Sequence, residues 1–110
     1  MLTNIVEECK RYGMVKLNLK DIESSLNELK GWKFENDTLV KDFLFKDFSN
    51  SVKFLTMVQP VADSLDHHPD VCIFYNKVRV TLTTHDEGGV TDLDVKLAKK
   101  LDELAKLFEY

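Results

Sequence analysis

The chain has 110 residues, of which 44 % are hydrophobic and 31 % charged; its net charge is −4, and glycine and proline are scarce. This composition suits one globular domain with its own core and excludes extensive disorder. The acidic balance gives no footing for nucleic acid or an anionic membrane, and no apolar run approaches the ~18 residues of a bilayer span.

The N-terminal stretch contains Glu7 and Glu8 and no basic n-region, so neither a secretory signal nor a transit peptide is expected. Cys9 and Cys72 form no CxxC pair and read as reduced thiols, and a cytoplasmic protein is expected. Residues 4–11 carry a weak helical turn or two, and 1–16 read as an N-terminal extension ahead of a single domain over 17–110. The first well-formed helix has Asn18 as N-cap and Asp21 at N3, with Leu17 and Ile22 as a hydrophobic staple. Ile22, Leu26 and Leu29 line one face of it, and Gly31 is placed to stop it.

Strands are expected over 32–35 and 39–45, joined by a turn at Asn36-Asp37. Ser49 then caps a long helix to Leu65, with Val52, Leu55, Val58 and Ala62 on one side and Phe54, Met57, Val61 and Leu65 on another. Pro60 cannot donate to the carbonyl of Thr56, which predicts a kink or an unwound turn there. A second hairpin pairs 71–75 with 78–84 across Asn76-Lys77; Val78, Val80 and Leu82 face one way, and Arg79, Thr81, Thr83 and His85 the other. Gly88-Gly89 breaks the chain before Thr91 caps a last helix bearing Leu97, Leu101, Leu104 and Phe108. The order α-β-β-α-β-β-α predicts an α+β domain: a four-stranded antiparallel sheet with helices packed on one face.

All three histidines fall in two clusters, His67-His68-Pro69 and Thr84-His85. Imidazole titrates near neutrality, so histidines gathered at one rim of a hairpin suit acid–base chemistry or metal binding. Pairing of the second hairpin returns His85 towards Pro69. Pro69 disfavours a helical conformation at His68, so the two adjacent side chains should diverge. Divergence weighs against one shared metal ion, and no metal or cofactor is expected. Asp63 precedes His67 by one helical turn and shares its face if the helix persists that far. Thr91-x-x-Asp94 resembles a capping box, so on spacing alone Asp94 reads as a helix cap ahead of a site residue. Asp66, Asp70, Asp86 and Glu87 surround the histidines, and acidic neighbours favour imidazolium.

The spacing Asp63-x3-His67-His68-Pro69-x5-Tyr75-x9-His85-x8-Asp94 resembles the signature of the pterin-4a-carbinolamine dehydratases, also called dimerisation cofactors. Leu44-Phe45-Lys46-Asp47-Phe48, Tyr75-Asn76-Lys77-Val78 and Thr81-Leu82-Thr83-Thr84-His85 resemble further blocks of that family. The resemblance implies a lyase that dehydrates a 4a-hydroxytetrahydropterin to quinonoid dihydropterin in tetrahydrobiopterin recycling, working as a homodimer or homotetramer. It implies His67, His68, His85 and Asp94 as catalytic residues, and Asp63, Pro69, Tyr75 and Thr84 as substrate-binding ones. The chain departs from the family pattern at Val71, where an aromatic residue is common, at Asp63, where Glu is frequent, and in carrying Pro60. A different class of function, a protein-binding module that stabilises a transcription-factor dimer, is also known in the family.

Overall fold

The computed structural model describes residues 15–108. In order, its elements are α1 Leu19–Leu26, β1 Lys33–Glu35, β2 Thr38–Leu44, α2 Phe48–Leu65, β3 Asp70–Phe74, β4 Lys77–Leu82 and α3 Asp92–Ala105. Short 3-10 turns occupy His85–Glu87 and Lys106–Phe108. The helical turns expected over 4–11 lie outside the described residues, as does most of the 1–16 extension.

The strands form one antiparallel sheet in the order β1-β2-β4-β3. Asn36 and Asp37 join the first pair with positive φ of 51° and 58°, as a type I′ turn requires. The second connection is Tyr75-Asn76, one residue earlier than expected, because Lys77 already pairs with Phe74. Asn76 fastens that tip to the end of β2: its carbonyl accepts from the Phe45 amide at 2.8 Å, and its side chain donates to the Phe45 carbonyl at 3.2 Å.

Period-2 burial holds along β4, where Val78, Val80 and Leu82 are buried with Leu39 and Phe43 of β2. The helices cover this face and complete the core with Ile22, Phe54, Val58, Leu97 and Leu101. The expected α+β architecture is therefore the one observed. None of the helices in the described residues is long and apolar enough to cross a membrane.

Four helix details differ from the sequence reading. Asn18 does cap α1, accepting from the Asp21 amide at 2.9 Å, but the helix ends at Leu26 rather than at Gly31. The following residues continue as tight turns that still bury Leu29, and Gly31, at φ 85°, precedes β1. Asp47, not Ser49, caps α2, accepting from the Asn50 amide at 2.8 Å. The buried stripe of α2 is Ser51, Phe54, Val58 and Ala62; Val52 is exposed, so the expected first stripe is only half correct. The helix runs through Pro60 without an unwound turn, and Pro60 and Thr56 both lie on its exposed side.

Candidate active site

The end of α2 sets the site. Asp66 adopts a left-handed conformation with φ 49° and ψ 41°. Its amide donates to the Asp63 carbonyl and the His67 amide to the Ala62 carbonyl, each at 3.1 Å. These are the two backbone bonds of a Schellman ending, here with aspartate where glycine is usual. The chain reverses sharply across one residue, and the adjacent imidazoles diverge as expected. His67 turns inward and is 8 % exposed, while His68 faces solvent.

His67 meets Asp94, in the first turn of α3, with Nε2 2.5 Å from Oδ1. Asp94 is fully buried. Its second oxygen, Oδ2, accepts from the Thr91 amide and from the Thr84 hydroxyl, both at 2.9 Å. The Thr84 and Thr91 hydroxyls lie 2.8 Å apart. Asp94 thus acts as the expected helix cap through Oδ2, while Oδ1 engages His67. An ionised carboxylate only accepts, so Nε2 of His67 carries the hydrogen of this bond. Nδ1 makes no hydrogen bond among the described residues.

His68 forms a second pair. Its Nε2 lies 2.8 Å from Oδ1 of Asp63, whose Oδ2 accepts from Gln59 at 2.6 Å. Asp63 thus partners His68; the helix ends at Leu65, before Asp63 and His67 could share a helical face. The hydrogen bond from His68, then that from Gln59, holds the Asp63 carboxyl below its ordinary value of 3.8. Both side chains are more than half exposed.

His85 is not on the strand: it opens the 3-10 turn three residues beyond the last residue of β4, and it is exposed. Thr84 and Gly89 bridge the base of this loop, with the Thr84 amide donating to the Gly89 carbonyl at 2.9 Å. Asp70 pairs with Thr81 at the start of β3. Asp94 touches His67 and Thr84, the residue before His85. Pro69 leads into β3 and is half-buried.

Tyr75 is not brought to this place. It sits at the far tip of the β3–β4 hairpin, 65 % exposed, with the whole of β3 between it and His68. Thr84 is buried against Asp94, not presented to solvent. Val71 faces inward opposite Val80 and packs on the core. The sequence reading missed Gln59 and the hydroxyl of Thr91. Gln59 was detectable as the residue one helical turn before Asp63, whereas Thr91 reads only as a cap until Thr84 is seen beside it.

Among the described residues, no group of three or more His, Cys, Asp or Glu side chains is placed to hold a metal ion. A cleft of about 640 Å³ lies elsewhere, between the end of α1, β2 and the end of α3. What the histidine cluster offers is two imidazole–carboxylate pairs of very different burial, with a third, free imidazole on the adjoining loop.

The profile of a family described as pterin 4 alpha carbinolamine dehydratase matches residues 15–104. A Metallosphaera sedula protein provisionally named pterin-4-alpha-carbinolamine dehydratase is 64 % identical over 94 residues, covering 86 % of this chain and 98 % of its own. A Sulfurisphaera tokodaii protein of the same provisional name is 62 % identical over 91 residues, covering 83 % of this chain and 98 % of its own. Among solved structures, a transcriptional coactivator/pterin dehydratase from Brucella melitensis superposes with a TM-score of 0.80 at 39 % identity, covering 82 % of this chain and 98 % of that one.

Proposed function

We propose that this chain, which belongs to the pterin 4 alpha carbinolamine dehydratase family, dehydrates a 4a-hydroxytetrahydropterin to the quinonoid dihydropterin and water, the step that returns oxidised tetrahydrobiopterin to its recycling route. The single observation that carries this reading is the buried His67–Asp94 pair, which leaves the other imidazole nitrogen of His67 without a hydrogen bond among the described residues. In the reaction, the lone pair on the ring nitrogen next to the carbinol carbon forms a C=N bond as the C–O bond breaks. The hydroxyl leaves as water after receiving a proton, and the ring nitrogen gives up its own. One acid and one base complete the balance, each contributing about 10²- to 10⁴-fold.

His67, through Nδ1, and His85 serve as that acid and base from opposite sides of the ring. His68 and Asp63 position the pterin at the mouth, and Pro69 lines it; Tyr75 lies too far away to join them within one subunit. Asp94 orients His67. Leu44, Phe48 and Val52 are exposed apolar residues around the start of α2, which favours a homodimer or homotetramer.

Stopped-flow decay of the carbinolamine, with and without protein, tests the activity. Replacing His67 and His85 together by Ala should reduce decay to the uncatalysed rate with the circular dichroism spectrum unchanged; full activity in that variant refutes the assignment. The name of the Brucella melitensis neighbour favours a second reading, a coactivator that stabilises a transcription-factor dimer. That reading predicts partner stabilisation that survives the double substitution.

A further inference from the structure

We propose that Thr84 is a positioning residue for this reaction, acting through Asp94, and not a substrate ligand; the catalytic part of the proposal rests on the dehydratase reading. The carboxylate of an aspartate turns about a broad, weakly preferred torsion, so an oxygen aimed at a histidine needs something to hold it there. Asp94 has two donors on one oxygen, from different elements. The Thr91 amide comes from the start of α3 and the Thr84 hydroxyl from the end of β4, each 2.9 Å from Oδ2. Together they fix the plane of the carboxylate and leave Oδ1 for His67.

The direction of each bond follows from the available hydrogens. Thr84 has a single hydroxyl hydrogen, and an ionised Asp94 only accepts, so that hydrogen goes to Oδ2. Thr84 then accepts from the Thr91 hydroxyl at 2.8 Å. The chain Thr91→Thr84→Asp94←His67 leaves none of these buried side-chain polar atoms without a partner. Thr84 is 4 % exposed and Thr91 fully buried, so neither hydroxyl faces a ligand directly. Thr84 is also the residue before His85, and its bridge to Gly89 anchors the loop that carries that imidazole. One side chain thus couples the placement of two histidines.

The test uses the whole chain with Thr84→Val, which removes the hydroxyl at nearly constant shape, Thr84→Ala, which adds no methyl against the carboxylate, and Thr84→Ser, which restores the donor. Expected for Val and Ala is a fall in kcat of about tenfold to a hundredfold, the loss of one hydrogen bond to a charged group, with KM within about twofold. Alongside it, the slowly exchanging Nε2 proton of His67 should disappear from the NMR spectrum, and Ser should recover both signals. The proposal is overturned by a kcat within about twofold of wild type, by a rise in KM alone, or by a fall in kcat with the Nε2 proton retained. Unfolding of both Val and Ala also overturns it, since the hydroxyl then serves the fold and not the site. If the wild-type protein does not dehydrate the carbinolamine, the dehydratase reading fails by itself; the NMR comparison still decides whether Thr84 positions His67.

Discussion

His67 and His68 are neighbours in the chain, each bonded through Nε2 to an aspartate, yet their surroundings make them different chemical groups. The His67–Asp94 pair is buried, and Asp94 has two further donors; the His68–Asp63 pair stands in solvent with one glutamine beside it. In water the attraction between such partners is screened and contributes little. In the interior the same contact must be fully hydrogen-bonded to be tolerated, and once it is, its geometry is held firmly. A single dipeptide therefore supplies both a fixed imidazole and an adaptable one. The αL residue before it makes the difference by turning one side chain in and the other out.

The largest effect expected from disturbing this contrast comes from Asp94→Ala. It removes a helix cap and leaves the Thr84 hydroxyl, the Thr91 amide and His67 without their shared acceptor, so urea unfolding should show a loss of about 3 kcal/mol. Asp66→Val comes next. A β-branched residue in the left-handed region costs about 1–2 kcal/mol, whereas Asp66→Gly should stay within about 0.5 kcal/mol of wild type. If the Val variant melts like the Gly variant, the Schellman ending does not determine the divergence of the two histidines.

Asp63→Asn should have the smallest effect and should be seen mainly in acid. The folded carboxyl lies below its ordinary 3.8, so its contribution is present above that value and is lost as pH falls through the lowered one. The variant should flatten the stability–pH slope in that window only. In the wild type, raising the salt to about 1 M should loosen the exposed His68–Asp63 contact followed by NMR and leave the His67–Asp94 contact unaltered. Equal salt responses at the two histidines would remove the contrast.

Much of this architecture was legible beforehand. The alternation of Val78, Val80 and Leu82, the cap at Asn18 and the turn at Asn36-Asp37 are local signals, and each appears in the structure within a residue of its expected place. Leu97 and Leu101 likewise face the core as their spacing indicates. Local signals failed where a neighbour in space outweighed them. Leu29 is buried beyond the end of its helix, α2 turns Phe54 rather than Val52 inward, and the second hairpin tip moves back to Tyr75. The last shift follows from the register with β2 and β3, which no short window of sequence contains.

The site divides in the same way. By itself, the sequence determined that histidines and acids gather around one hairpin, that Pro69 would make His67 and His68 diverge, and that Thr91 and Asp94 open a helix; short-range sterics and capping chemistry settle those points. Only the tertiary structure decided which histidine receives which aspartate. Asp94 reaches His67 across 27 positions of sequence, and Thr84 across ten, because the start of α3 packs against the end of β4. The burial that makes that contact firm arises when separate elements close over it, and no residue carries it alone.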